Sequence, residues 1–202
     1  RLHLLTGRDG YIVENPKPGD PVFDRTGQAL VGSNSLSVDA MKQAAQHIGF
    51  NTEIYSTTVC GDARKEAGKL CGVAARKLTE TTNPTALVAG GETTVTVAGS
   101  GLGGRNQEFA LAFALAAQQI NLPARWMFLS AGSDGRDGPT DAAGAIVDSE
   151  TISRIITGGE NPANYLDNND SYHALQLTHD LLITGPTGTN VADLHVLLLF
   201  PE

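Results

Sequence analysis

The stretch from Gly90 to Glu108 holds the densest set of residues able to bind an anion. It runs Gly90-Gly91-Glu92-Thr93-Thr94-Val95-Thr96-Val97-Ala98, then Gly99-Ser100-Gly101-Leu102-Gly103-Gly104, then Arg105-Asn106-Gln107-Glu108. Thr94 to Val97 alternates polar and apolar, the pattern of a half-buried strand. The glycine-rich segment that follows is too permissive for regular structure. From Arg105 onward Ala and Leu fill most positions, which favours helix. A helix N-terminus approached through glycines presents free N–H groups at close range, a ready anion site. Arg105 adds a planar cation there and Asn106 an amide. The stretch therefore predicts a bound phosphate or carboxylate; a glycine loop that only joins strand to helix is the competing explanation. Gly99, Gly101 and Gly104 also satisfy G-x-G-x-x-G. A dinucleotide fold wants an acidic residue about 20 positions further on. Asn121, Leu122, Pro123 and Ala124 stand there instead, and the preceding strand is half polar rather than buried on both faces.

A second cluster is Ala131-Gly132-Ser133-Asp134-Gly135-Arg136-Asp137-Gly138-Pro139-Thr140-Asp141, which follows the apolar run Arg125 to Ser130. Ligands of open α/β sheets sit beyond the carboxyl ends of strands, so this loop is well placed. Asp134, Asp137 and Asp141 offer hard oxygen ligands, although no Glu closes an EF-hand spacing. As ordinary turn residues, the same positions would instead have Thr140 or Asp141 capping a short helix. Thr184-Gly185-Pro186-Thr187-Gly188-Thr189-Asn190 could line a site through Thr187 and Asn190, or be a surface turn. Ser33 and Asn34 fall on the same loop side of the sheet. Asn168-Asn169-Asp170-Ser171 is a similar polar run, in which Ser171 reads as a cap of the next helix. His47 and His195 have no partner at metal spacing, so zinc is not expected. Neither a G-x-S-x-G elbow nor a Walker loop is present.

The elements that must position these groups alternate. Residues 28–32 read as a short strand. A helix carrying Ala40, Met41, Ala44, Ala45 and Ile48 follows, capped by Ser35 or Ser37 and closed at Gly49. Thr52 to Thr58 reads as a second strand, 61–80 as a second helix, and Thr85 to Ala89 as a third strand. Helix 106–119 is apolar nearly all round, hence buried between layers. Shorter helices are expected over 149–157, 160–167 and 171–177, with strands at Leu181 to Ile183 and Leu194 to Phe200. This order predicts an α/β fold, a mostly parallel or mixed sheet flanked by helices in three layers. Residues 1–26, with Asn15-Pro16-Lys17-Pro18-Gly19-Asp20-Pro21, read as an arm or linker before one domain over 27–202.

Length and composition fit a globular protein, at 202 residues with 41% hydrophobic and 18% charged. A net charge of −8 argues against a nucleic-acid or anionic-membrane partner. No apolar run approaches the ~20 residues of a membrane span and no signal peptide is read, so a cytoplasmic location is expected. Cys60 and Cys71 lack metal spacing and suit a reducing compartment. The chain opens at Arg1 without Met, as part of something longer would.

Taken together, Gly90 to Val95, Gly103 to Glu108, Ser130 to Gly135 with Asp137 to Gly144, and Thr187 to Asn190 resemble the class II glycerate kinases. That family's C-terminal half carries the MOFRL domain. The likeness runs from about Pro16 to the C-terminus and includes Gly32-Ser33-Asn34. It implies the C-terminal domain of a two-domain α/β enzyme with its active site between the domains. The implied reaction moves the γ-phosphoryl of ATP to D-glycerate with Mg²⁺, giving 2-phosphoglycerate. It also implies that a catalytic lysine and much of the nucleotide site belong to an N-terminal half that this chain lacks, so that the 202 residues alone are not expected to be active. Carried onto this sequence, Arg105, Asp134 and Asp137 become catalytic, with Asp134 and Asp137 also metal ligands. Gly101, Gly103, Gly104, Asn106, Glu92, Ser33, Asn34, Thr187 and Asn190 become substrate or phosphate contacts. Homodimerisation stays open. An NAD(P)H-dependent hydroxypyruvate reductase and a non-catalytic domain binding a small acid are the alternatives.

Overall fold

The computed structural model describes residues 15–27, 29–123 and 125–201. Most of the expected arm (1–14) and Gln28 of the first expected strand lie outside these. The chain forms two compact units, Arg1–Val31 and Gly32–Glu202. In the first, a 3-10 turn spans Pro21–Phe23, capped by the Asp20 carboxylate on Val22 N–H. Residues 29–32 are not a strand. Leu30 and Val31 are 76% and 97% exposed, so this short apolar run has no sheet surface to bury.

The second unit begins with α1 (Asn34–His47), capped by Ser33, whose Oγ accepts Leu36 N–H at 3.2 Å. The cap sits earlier than Ser35 or Ser37, because Asn34 is already tied to the sheet. Then follow β1 (Asn51–Asp62), α2 (Ala63–Glu80), β2 (Thr85–Thr94), α3 (Arg105–Gln119), β3 (Arg125–Gly132), β4 (Gly144–Asp148), α4 (Thr151–Thr157), α5 (Pro162–Asp167), α6 (Ser171–Leu177), β5 (Leu181–Leu182) and β6 (Asp193–Phe200). β2 stops at Thr94, opposite the last residue of β1, Asp62. With no partner beyond that point, Thr94 to Val97 does not continue as strand despite its alternation.

The sheet order is β1-β2-β6-β3-β4-β5. Among the described residues the one parallel pair is β1 with β2; β6 runs antiparallel to both β2 and β3, β4 to β3 and β5 to β4. The sheet is therefore mixed. After β3 the chain returns through a loop into β4 with no crossover helix, and the last strand inserts between β2 and β3. β4 had no sequence-based counterpart, and no helix follows Thr140 or Asp141.

α1 packs on β1, β2 and β6. On the other face the apolar α3 is buried from Asn106 through Ala114, in contact with β3, β4, α2, α5 and α6. Its Phe109 and Phe113 rings meet Phe128 at 5.2 and 4.7 Å, and Phe113 meets Trp126 edge-on at 5.1 Å. Leu87, Leu197 and Leu199 complete this core. Among the described residues no helix is long and apolar enough to cross a membrane. Because Phe113 is fully buried, Phe113→Ala is expected to lower the unfolding free energy by about 3–5 kcal/mol. Urea titration followed by circular dichroism checks this, and a loss below about 1 kcal/mol would contradict the packing.

Candidate active site

The N-terminus of α3 is capped from a distance. Its N-cap residue, Gly104, has no side chain to offer. Asp137 supplies the missing acceptor from the β3–β4 loop. Its Oδ1 accepts the Asn106 N–H at 3.1 Å and Asn106 Nδ2 at 3.3 Å; its Oδ2 accepts the Gln107 N–H at 2.9 Å and Gln107 Nε2 at 3.0 Å. A Cβ on Gly104 would lie 2.3 Å from the Asp137 carboxyl carbon, so only glycine admits this approach. Gly138 at φ +61 turns the loop back, and a Cβ there would meet the Gly103 carbonyl at 2.3 Å. The positive end of the helix dipole is thus met by an internal carboxylate. Asp137 is 2% exposed. Burial pushes its carboxyl above the usual range, and the four N–H donors oppose that shift.

The preceding glycine loop is held by Asn168, Asn169 and Asp170. Asn169 Oδ1 accepts the N–H groups of Ala98 and Gly99 at 2.7 and 2.9 Å. Asn168 takes those of Ser100 through its side chain and Gly101 through its carbonyl, and Asp170 takes that of Leu102. Gly101 is thereby committed internally. The N–H groups of Gly103 and Gly104 have no acceptor among the described residues.

Arg105 stands at this same point with its guanidinium locked. Nε and Nη2 reach the two oxygens of Asp193 at 2.7 and 2.9 Å, and Glu92 approaches Nη2 at 3.3 Å. Asp193, the first residue of β6, is fully buried. Its carbonyl and that of Val191 accept Asn34 Nδ2 at 2.9 and 2.8 Å. The Asn34 amide lies against Gly90, where a Cβ would come within 1.9 Å of its oxygen. Arg105 keeps about a third of its side chain exposed, and it borders a cleft of about 770 Å³ lined also by Glu92, Thr93, Val95, Gly103 and Gly104.

Beneath the cleft runs a buried polar chain. The Ser130 hydroxyl donates to Asn106 Oδ1 at 2.7 Å and therefore accepts from His195 Nδ1–H at 3.0 Å. His195 Nε2 is buried without a partner among the described residues, and the His195 and Phe109 ring centres lie 4.9 Å apart. Burial drives the His195 pKa down from 6.5 to about 4, so the ring is neutral.

The expected site residues thus fall into four groups. Glu92, Gly101, Gly103, Gly104 and Arg105 line the cleft. Asn106 and Asp137 are buried under it, with their polar atoms turned to each other. Asp134, Thr187 and Asn190 form a neighbouring cluster: Asp134 Oδ2 accepts Asn190 Nδ2 at 3.4 Å, its carbonyl accepts Thr187 N–H at 3.1 Å, and the Thr187 hydroxyl donates to the Ser133 carbonyl. Asp134, Arg136 and Asp141 border a cavity of about 460 Å³ there. Ser33 caps α1, and Asn34 braces β6. Among the described residues no group of three or more His, Cys, Asp or Glu is placed to hold a metal. Sequence reading missed Asp193 and the Asn169 and Asp170 loop ligands. The signal for Asp193 was a lone acid at the mouth of an apolar strand, which must find a partner when buried.

The His195 shift has a consequence for stability. The unfolded chain takes up the proton near the ordinary pKa, while the folded chain resists until about 4. Stability is then full above pH 6.5 and falls as pH drops from there toward 4. The expected loss through this group is roughly 3 kcal/mol. Subtracting the denaturation pH profile of His195→Gln from that of the native chain isolates this slope; parallel profiles would contradict the assignment.

Residues 85–193 match the MOFRL family. The D-glycerate 2-kinase of Thermotoga maritima is 47% identical over 174 residues, covering 84% of this chain and 41% of its own length. The glycerate 2-kinase of Pyrococcus horikoshii is 39% identical over 196 residues, covering 95% and 43%. A crystal structure of glycerate kinase from Thermotoga maritima superposes with a TM-score of 0.78 at 46% identity, over 85% of this chain and 41% of that one. The chain thus spans less than half the length of these relatives. It belongs to the MOFRL family and is homologous to the C-terminal part of glycerate 2-kinases.

Proposed function

We propose that this chain forms one wall of a glycerate kinase site, at which the γ-phosphoryl of ATP passes to D-glycerate to give 2-phosphoglycerate. An N-terminal nucleotide-binding half of the same protein supplies the other wall. The observation that carries this reading is the fixed Arg105 guanidinium beside Gly103 and Gly104, whose N–H groups have no acceptor among the described residues, all three residues lining one cleft. Phosphoryl transfer depends on positioning and on neutralising charge that spreads over the transferring oxygens. Arg105 meets that need without reorganising, because Asp193 holds two of its nitrogens. The Gly103 and Gly104 amides add donors to the phosphoryl group or the glycerate carboxylate. Asn106 and Asp137 act beneath the cleft as positioning residues.

Magnesium in kinases takes one or two carboxylates and completes its shell with phosphate oxygens. Asp137 does not fit that role, since it is buried and each of its oxygens already accepts two N–H donors. Asp134 fits better: each of its oxygens accepts a single N–H, from Arg136 and Asn190, and it is half-buried at a cavity edge. There the ion would neutralise phosphate charge.

The test is ³¹P NMR of the full gene product with D-glycerate, ATP and Mg²⁺, and NADH with hydroxypyruvate as an absorbance control. A new phosphomonoester with matching ADP is expected; NADH loss without it would replace the kinase by a reductase. Arg105→Ala should lower kcat by about 10²–10³-fold, roughly 3–4 kcal/mol of transition-state stabilisation. Arg105→Lys keeps the charge but loses the planar fork, so steady-state kinetics should place it between the two.

A further inference from the structure

A hydroxyl that attacks phosphorus must give up its proton, and a carboxylate in contact with it is the usual acceptor in kinases. The ionisable residues lining the large cleft are Glu92, Arg105 and Glu108. Glu108 is 2% exposed, and both its oxygens are engaged: Oε1 by Arg64 at 2.7 Å and Oε2 by Asn169 at 3.0 Å. The two buried carboxylates nearby are spent as well, Asp193 on Arg105 and Asp137 on the α3 N-terminus. Glu92 differs from all three. Its side chain is 63% exposed, and one oxygen, Oε1, touches Arg105 Nη2 at 3.3 Å. Oε2 has no partner among the described residues. The backbone of β2 fixes its place, since Glu92 pairs with Cys60 of β1 inside the parallel ladder.

We propose that Glu92 is the general base of the phosphoryl transfer, an inference that rests on the kinase reading above. The acceptor hydroxyl of the 2-hydroxy acid lies beside Arg105 with its O–H directed at Glu92 Oε2. As the hydroxyl oxygen forms its bond to the γ-phosphorus, the O–H bond breaks and the proton passes to Glu92. The bond between the γ-phosphorus and its bridging oxygen breaks, and that electron pair leaves with the nucleoside diphosphate. The proton then returns to water through the exposed side of the carboxylate. Arg105 Nη2 lies against Oε1, which fixes the carboxylate's orientation and leaves Oε2 for the hydroxyl. Among the described residues the ion-pair partner of Glu92 is Arg105 from α3, whose guanidinium is held in turn by Asp193 of β6.

Glu92→Gln in the full gene product keeps the shape and removes the basicity. Measured with D-glycerate and ATP, its kcat is expected to fall 10²–10⁴-fold, with KM for D-glycerate changed less than a few-fold and the acid limb of the kcat–pH profile gone. Glu92→Asp, which retains a base on a shorter arm, should recover part of the rate and the acid limb. Unchanged kcat in Glu92→Gln, or a raised KM with kcat intact as an anchor for Arg105 would give, overturns the proposal. Absence of any phosphomonoester from the native enzyme would overturn the kinase reading itself, and the two failures are thus told apart.

Discussion

The Asp137 carboxylate on the N-terminus of α3 is the contact on which the rest of the site depends. It joins the β3–β4 loop to the helix that begins at Arg105, and four N–H donors converge on it. Burying a carboxylate costs several kcal/mol unless it is fully hydrogen-bonded, so the arrangement holds only while every donor is present. Two glycines make it sterically feasible, Gly104 by leaving room for the carboxyl group and Gly138 by turning the loop at positive φ. Through Asn106 the same contact reaches Ser130 and His195 in the sheet. Helix, loop and two strands are therefore set relative to one another by a single polar chain, and the Arg105 backbone inherits that placement.

Above this layer the electrostatics are divided between fixed and free groups. Arg105 is the cation of the cleft, and Asp193 uses its carboxylate to aim it rather than to quench it, since part of the guanidinium still meets solvent. Asn34 in turn holds the backbone of Asp193 from α1. Three elements distant in sequence, α1, α3 and β6, thus converge on one guanidinium. The glycine loop is pinned separately by Asn168, Asn169 and Asp170, leaving only its last amides open.

Much of this was legible in the sequence because it is local. The helix at Arg105, its all-round burial, the final strand and the three short helices follow from periodicity and composition. The α/β class was legible too, and the sheet proved to be of the mixed kind. What single-sequence reading lacked was pairing at long range. Arg105 and Asp193 are 88 positions apart, and nothing in either neighbourhood names the other. From sequence, Asp137 reads as a metal ligand because an acid among glycines looks available; its hydrogen-bond partners, 30 and 31 residues earlier, are not visible there. Which strands lie side by side was not legible for a related reason. Local patterns give strands but not their neighbours, and the insertion of β6 between β2 and β3 depends on hydrogen bonds from opposite ends of the unit.

The position of β6 has a bearing on how the chain acquires its structure during synthesis. The last strand in sequence occupies an interior slot, so β2 and β3 have no ladder between them until residues 193–200 have emerged. Until then the apolar face that receives Leu197 and Leu199 stands open, and Arg105 lacks the carboxylate that orients it. Sheet closure and the orientation of Arg105 are consequently one event, and a nascent chain halted before Asp193 would carry both an unpaired sheet interior and an unaimed arginine.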